Sequence, residues 1–445
     1  MPAAASEALF PLRPPVSGLR RVLFLFEPTR VRLADRVVSF LLRNRWVPRG
    51  LLRFFALLDL AWGEVLYAGE ISSQTRMLQN RQRVLGNSFA AFGSVFDANG
   101  RSAFELIERT PATLRRTNAF VGQEAQPDLL APHTFLFNDG PQHDRDKTVL
   151  IDRVITRLTP EDWAAADVMI AEWRRANPAA VTPAQVEPIL VRALHRLLLR
   201  IEVNDEEVAL ALGWQRGFFS PLLFLPLGFR RALLKSGQRR LDEGRAKLVA
   251  RYRTSPVVRD LFSGGGTFEG LTEDAFLHHM FEVMNLNGGA VLSNSQRIVR
   301  VLSERADLVD QLRAEHKSLG LDAPGPIALR ALGQADKTRR TAMEVMRIYT
   351  RVTTISWRST AEFEADVRGR KLRFPAGTLR TASIANANVD PSLYPEPYEI
   401  RMDRDYSRFA QFGGVEGPRR CPGRDPALMM IALLLVHLLR EPKPS

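Results

Sequence analysis

One stretch near the C-terminus carries the clearest chemistry: FGGVEGPRRCPGRD, residues 412–425. It holds the only cysteine of the chain, Cys421, with Arg419, Arg420 and Arg424 as close neighbours. The apolar run PALMMIALLLVHLLR follows directly and predicts a buried helix over residues 426–440. Proline suits the first turn of such a helix. A cysteine just before a helix N-terminus and among arginines is biased toward thiolate, because both the helix dipole and the cations favour the anion. A thiolate held in a loop is a ligand for a soft or borderline metal. The plainer alternative for a lone cysteine is a buried structural thiol.

Three other groups of residues have chemistry-bearing spacing. In FNDGPQHDRDK, residues 137–147, Asp139-Gly140-Pro141 is a turn signal, and His143 and Lys147 then stand four apart on one side of a helix. Such a pair can hold a carboxylate or serve as a solvated first turn. The run EDAFLHHMFEVMNLNGGAVLSNSQRIVRVL, residues 273–302, predicts a long helix. Gly288 and Gly289 in its middle cost about 1 kcal/mol each relative to alanine. They therefore point to the close approach of something, a flat cofactor among the candidates. Asn285 stands just before them in an apolar setting and needs hydrogen-bond partners if buried. Finally, Glu344 and Arg347 are three apart on a predicted helix, with the cations Arg358 and Arg404 further on.

The elements that position these residues lie in a chain of 445 residues, 45% hydrophobic, which is enough for a large core. One cysteine excludes a disulfide framework and a zinc finger. The net charge of +13 favours anionic partners. No aromatic-interleaved basic motif or zinc knuckle accompanies it, so nucleic acid is not expected as a partner. No run of about 20 apolar residues suggests a membrane span. Cytoplasmic residence is expected, with a peripheral membrane surface as a further partner. Residues 22–60 show helical spacing mixed with arginines, and residues 63–97 contain strand-like pieces. Helices are predicted over residues 160–215. The stretch GFFSPLLFLPLGFRR, residues 217–231, reads as an apolar loop broken by Pro221 and Pro226. The segments RVTTISW and KLRFPAGTLRTASIANANV have β character.

Taken in order, these segments resemble the cytochrome P-450 superfamily across residues 130–440. The carriers are the Asp139–Lys147 helix, the long glycine-containing helix, Glu344-x-x-Arg347 with the later Arg404, and the Cys421 loop. The resemblance implies a mainly α fold with small β-sheets, a triangular helical prism around a buried haem. It implies one such domain over residues 1–445, with residues 1–60 as an N-terminal helical extension that the resemblance does not cover. It implies haem b as cofactor, ligated by Cys421, with His143, Lys147, Arg358 and Arg419 near its propionates and Gly288 and Gly289 against it. Glu344, Arg347 and Arg404 resemble the family's structural triad.

Two departures refine the resemblance. A monooxygenase of this family places an acid followed by threonine in the middle of the long helix, whereas NLNGGAVLSN, residues 285–294, has neither. The spacing from Phe412 to Cys421 is also two residues longer than usual. Both features resemble the clan of allene oxide synthase, hydroperoxide lyase, divinyl ether synthase and epoxyalcohol synthase. Asn285, Gly288 and Gly289 match its Asn-x-x-Gly-Gly. Gly417, Cys421, Gly423, Arg424 and Asp425 match its cysteine loop, with arginine in place of lysine. The expected substrate is a polyunsaturated fatty-acid hydroperoxide, rearranged by O–O homolysis without dioxygen, NADPH or a redox partner. Asn285 is expected to donate a hydrogen bond to the hydroperoxide oxygens. The alternatives are a cytochrome P-450 monooxygenase or peroxygenase acting on a fatty acid, and a non-catalytic haem sensor or lipid-binding protein.

Overall fold

The structure is a computed structural model. It describes residues 18–43, 62, 66, 90–92, 95–98, 115–116, 140–178, 181–218, 227–263, 267–350, 354–358, 361–367, 370–374, 376, 379–406, 409 and 420–440. The chain divides into two compact units, each discontinuous in sequence. Met1–Gln126, Pro221–Arg230 and Met346–Arg420 form the first; Pro127–Ser220, Arg231–Val345 and Cys421–Ser445 form the second. The described elements are mainly helical with small sheets, as the sequence leads one to expect.

The first unit opens with α1 (Gly18–Arg43). Its buried side is fixed by Val31 and by Glu27, which is 1% exposed. Glu27 accepts two hydrogen bonds from Arg30 and one from the Trp62 indole, so its charge is fully paired. Val22, Leu25, Phe26 and Leu33 remain exposed on the other side. Strands β1 (Ala90–Phe92), β2 (Val95–Ala98) and β3 (Arg115–Arg116) join two later strands, β6 (Thr354–Arg358) and β9 (Leu379–Ser383), in one sheet. Its order is β1-β2-β9-β6-β3, with β2 and β9 parallel and the other pairs antiparallel. Strands β7 (Phe363–Val367) and β8 (Arg370–Phe374) form a separate hairpin. The β character read into IANANV does not hold at its start. Ser383 caps a helical turn there by accepting from the Asn386 N–H, and this turn precedes the elements of the C-terminal segment. A hydroxyl at that position offers the backbone a partner that a β-ladder would otherwise supply.

The second unit runs from α2 (Gly140–Leu150), through a wide π turn at Ile151–Ile155, to α3 (Pro160–Ala176). Thr159 and Asp162 form a reciprocal capping box at the start of α3, with Pro160 at its first position. Then come α4 (Val186–Leu199), α5 (Asp205–Phe218), α6 (Leu227–Arg253), which belongs to this unit from Arg231 on, and α7 (Pro256–Phe262). A short hairpin of β4 (Thr267–Phe268) and β5 (Leu271–Thr272) leads into α8 (Glu273–Glu282). The long helix predicted over residues 273–302 is present but not uniform: α8 passes through a π turn, Val283–Asn287, into α9 (Gly288–Glu304). α10 (Ala306–Ser318), α11 (Leu329–Gln334) and α12 (Asp336–Ile348) follow, the residues of α12 from Met346 on being counted in the first unit. The four-residue turn capped by Ser383 is α13 (Ile384–Ala387), in the first unit.

The core of the second unit gathers on α4, whose Ile189, Leu190, Ala193, Leu194 and Leu197 are buried against α3, α5 and α9. Each isoleucine or leucine among them contributes about 2 kcal/mol on burial. The helix after the cysteine, α14 (Arg424–Leu439), is buried almost all round from Leu428 to Leu439. That explains why its sequence shows no polar face. It packs on α3, α9, α10 and α11. His437 is its one buried polar side chain, and its Nε2 lies 2.6 Å from Asp167 Oδ1 on α3. The other Asp167 oxygen accepts from the Ile327 N–H, so the carboxylate is satisfied on both sides.

Candidate functional site

Cys421 is half-buried and stands three residues before α14, with Gly423 as the N-cap. A Cβ built on Gly423 would lie 3.8 Å from the Cys421 sulfur. The glycine thus keeps the space beside the sulfur clear of side chain. The sulfur, the helix terminus and the adjacent Arg424 make a donor set suited to an anionic sulfur ligand. Of its expected neighbours, Phe412 and Arg419 lie outside the described residues. Arg358 ends β6, opposite Leu379 of β9 and Arg115 of β3, in the first unit.

The second unit holds the remaining site residues. His143 is buried on α2, its Nδ1 donating to Asp144 Oδ1 at 2.8 Å, and half-buried Lys147 stands one turn on. Between them, buried Asp146 faces His279 of α8 at 3.3 Å. Burial alone would push the Asp146 carboxyl up, but hydrogen bonds and charge from His279 and Arg145 outweigh it and hold it below its ordinary value. α2 therefore turns His143 and Lys147 to one side while Asp146 ties the helix to α8.

Asn285 sits within the π turn and is fully buried. A π turn carries an extra residue within the helical ladder, and such turns gather at functional sites. The Gly288 N–H closes the turn on the Val283 carbonyl. A Cβ at Gly288 would meet Leu194 of α4 at 3.4 Å, and one at Gly289 would meet Gln215 of α5 at 3.4 Å. At these distances a Cβ would make ordinary contact, so these neighbours do not by themselves require glycine, and contact of the two glycines with a cofactor stays an expectation.

Asn285 belongs to a polar cluster that the sequence reading missed. Its Nδ2 donates to the Phe281 carbonyl at 3.0 Å and to the Tyr252 hydroxyl at 3.2 Å. That hydroxyl also lies 2.9 Å from His195 Nε2, and His195 Nδ1 lies 2.7 Å from the Val191 carbonyl. His195, Tyr252 and Asn285 come from α4, α6 and the π turn, and all are buried. Phe281 and Trp214 pack edge to face at 4.8 Å beside them. Asn285 Oδ1 is buried and, among the described residues, has no hydrogen-bond partner. Both N–H groups of this amide are used within the cluster, and the atom left open is an acceptor. A histidine on the apolar side of VEPILVRALHRLLL was the available signal. Its partner lies 57 residues away, so no local pattern reveals it.

Burial pushes His195 down to about 4, with the Arg251 charge acting the same way and the Val191 carbonyl partly offsetting both. The unfolded chain, at about 6.5, then takes up a proton before the folded one does. Folding stability should therefore be full above about pH 6.5 and fall as the pH drops toward 4. His195 contributes about 3 kcal/mol of that loss. Urea unfolding at about pH 7 and about pH 4.5 checks this. His195→Gln, which does not titrate there, should show a smaller decline by most of that amount.

Among the described residues, no helix is long and apolar enough to cross a membrane. Residues 295–442 match the family model for cytochrome P-450. Cytochrome P-450 85A1 of Oryza sativa subsp. japonica is 22% identical over 433 residues, covering 86% of this chain and 89% of the relative. The solved structure of a retinoic-acid-bound cyanobacterial CYP120A1 superposes with a TM-score of 0.62 at 18% identity, over 81% of this chain and 86% of the other. A second, the cytochrome P-450 CYP102L1, gives a TM-score of 0.63 at 14% identity, over 84% and 92%. These two likenesses concern the fold.

Proposed function

The chain belongs to the cytochrome P-450 superfamily, and from that premise we propose that it rearranges fatty-acid hydroperoxides without dioxygen or a nicotinamide reductant. Its cofactor is haem, and Cys421, the only cysteine, is the thiolate ligand. When bound, the haem supplies homolytic cleavage of the peroxide O–O bond, aided by electron donation from the thiolate. His143, Lys147, Arg358 and Arg419 would neutralise its propionates, and Gly288 and Gly289 would lie along it.

The observation that carries the reading is Asn285. Its amide oxygen is buried and, among the described residues, without a hydrogen-bond partner, and the segment 285–294 that it opens carries no acid and no threonine. An amide does not titrate, so it cannot feed protons to dioxygen. It can hold the O–H of a hydroperoxide, a substrate that brings its own oxidising equivalents. The net charge of +13 would gather anionic fatty acids, or the lipid surface that contains them.

The test is anaerobic incubation of the haem-loaded protein with linoleate hydroperoxide and no reductant. Loss of the conjugated-diene absorbance is expected, with isomerised or cleaved products identified by mass spectrometry. Turnover only with NADPH and redox partners would instead make it a monooxygenase, and haem without turnover would make it a sensor or lipid-binding protein. Asn285→Ala should lower hydroperoxide turnover roughly a hundredfold, the scale of losing one positioned hydrogen-bonding group. Haem content should not change. Unaltered turnover would remove Asn285 from the site.

A further inference from the structure

We infer that His195 and Tyr252 are positioning residues that fix the Asn285 amide with its oxygen as an open acceptor, so that the site selects ligands presenting an O–H. The inference rests on the reading of Asn285 as the residue that meets the hydroperoxide.

The direction of every hydrogen bond in the cluster follows from one backbone group. The Val191 carbonyl only accepts, so His195 Nδ1 carries the proton across the 2.7 Å contact. Burial keeps the imidazole neutral, leaving Nε2 with a lone pair. The Tyr252 hydroxyl, 2.9 Å away, therefore donates to Nε2. Its oxygen is then available to accept from Asn285 Nδ2 at 3.2 Å. The other amide N–H goes to the Phe281 carbonyl at 3.0 Å.

Turning the amide over would set its oxygen against the Phe281 carbonyl. It would also set it against a hydroxyl whose proton is already committed to His195. Two acceptor–acceptor contacts in a buried site oppose that flip. The amide orientation is thus determined by the network. The remaining atom, Oδ1, is buried, unpartnered among the described residues and able only to accept. A hydroperoxide or an alcohol can satisfy it; a ketone or an epoxide cannot.

The experiment uses two unreactive ligands, the hydroxy and keto analogues of linoleate hydroperoxide. Equilibrium binding to the haem-loaded protein is read from the haem absorbance. The wild-type protein should prefer the hydroxy analogue roughly tenfold, the scale of one buried hydrogen bond made against one refused. Tyr252→Phe should bring that preference to about twofold, because the amide then loses one of its two constraints. His195→Leu frees the tyrosine proton and should relax the preference likewise. His195→Gln keeps an acceptor for that proton and should retain it.

Equal binding of the two analogues by the wild-type protein overturns the inference, and that comparison needs no variant. So does a preference that survives both Tyr252→Phe and His195→Leu. If Tyr252→Phe does not fold, the two His195 variants decide, since a merely structural role predicts no difference between them in the ratio. Turnover of the hydroperoxide by a protein that binds both analogues equally would leave the proposed function standing and the inference lost. A clear preference without turnover would do the reverse.

Discussion

Cys421→Ser should abolish hydroperoxide turnover, by roughly a thousandfold or more, and remove the ferrous-carbonyl absorbance expected of sulfur ligation. Serine keeps the size of the side chain but exchanges a polarisable thiolate for a hydroxyl, which is a poor partner for haem iron. No second cysteine exists to take its place. The loss should come without global unfolding. The helix behind the residue is held by its own burial from Leu428 to Leu439 and by the His437–Asp167 contact, none of which involves the sulfur. Circular dichroism of the variant should therefore match the parent. Retained turnover, or a retained sulfur-type spectrum, would falsify the assignment of Cys421.

Arg347→Ala should destabilise the protein by about 3–5 kcal/mol, the range for stripping a buried cation from its partners. Arg347 is fully buried near the end of α12. It donates to the carbonyls of Asn388 at 2.8 Å, Pro397 at 2.6 Å and Glu399 at 3.2 Å, and its guanidinium lies 4.9 Å from the Tyr394 ring centroid. Arg404 works on the same segment, donating to Pro395, Glu396 and again Glu399. This stretch has no strand or long helix to satisfy its carbonyls, and Glu396 has a positive φ of 51°. Two guanidinium groups do the work that secondary structure does elsewhere. Arg347→Lys should recover little, because one ammonium cannot span three carbonyls in the plane of a fork. Thermal or urea unfolding measures the effect, and a change below about 1 kcal/mol would show that the segment holds itself.

How much of this was legible follows from where each partner lies in sequence. The cysteine loop and its helix could be read because they are contiguous: glycines, a proline and arginines, then an apolar run with a sharp end. The α3 start was legible for the same reason, since Thr159, Pro160 and Asp162 act within one turn. Glu344 and Arg347 stand in plain view as a spacing, but the carbonyls that Arg347 collects lie 41 to 52 residues further on. The His195–Tyr252–Asn285 cluster was not readable, because α4, α6 and the π turn contribute one residue each. Which end of the Asn285 amide is left open was unreadable for a related reason: residue type says that an amide has both functions, and only the neighbours say which one is spent. The π turn at Val283–Asn287 was missed because one extra residue hardly alters an apolar run.

That extra residue makes orientation a matter of chain length. A regular α-helix advances by about 100° per residue, whereas this wide turn takes up one residue more, so excising one position would restore a regular ladder and redirect the side chains within the turn. The amide could be aimed elsewhere with no side chain replaced. A comparison of such sites by residue identity alone would overlook the change, whereas a one-codon length difference there would register it.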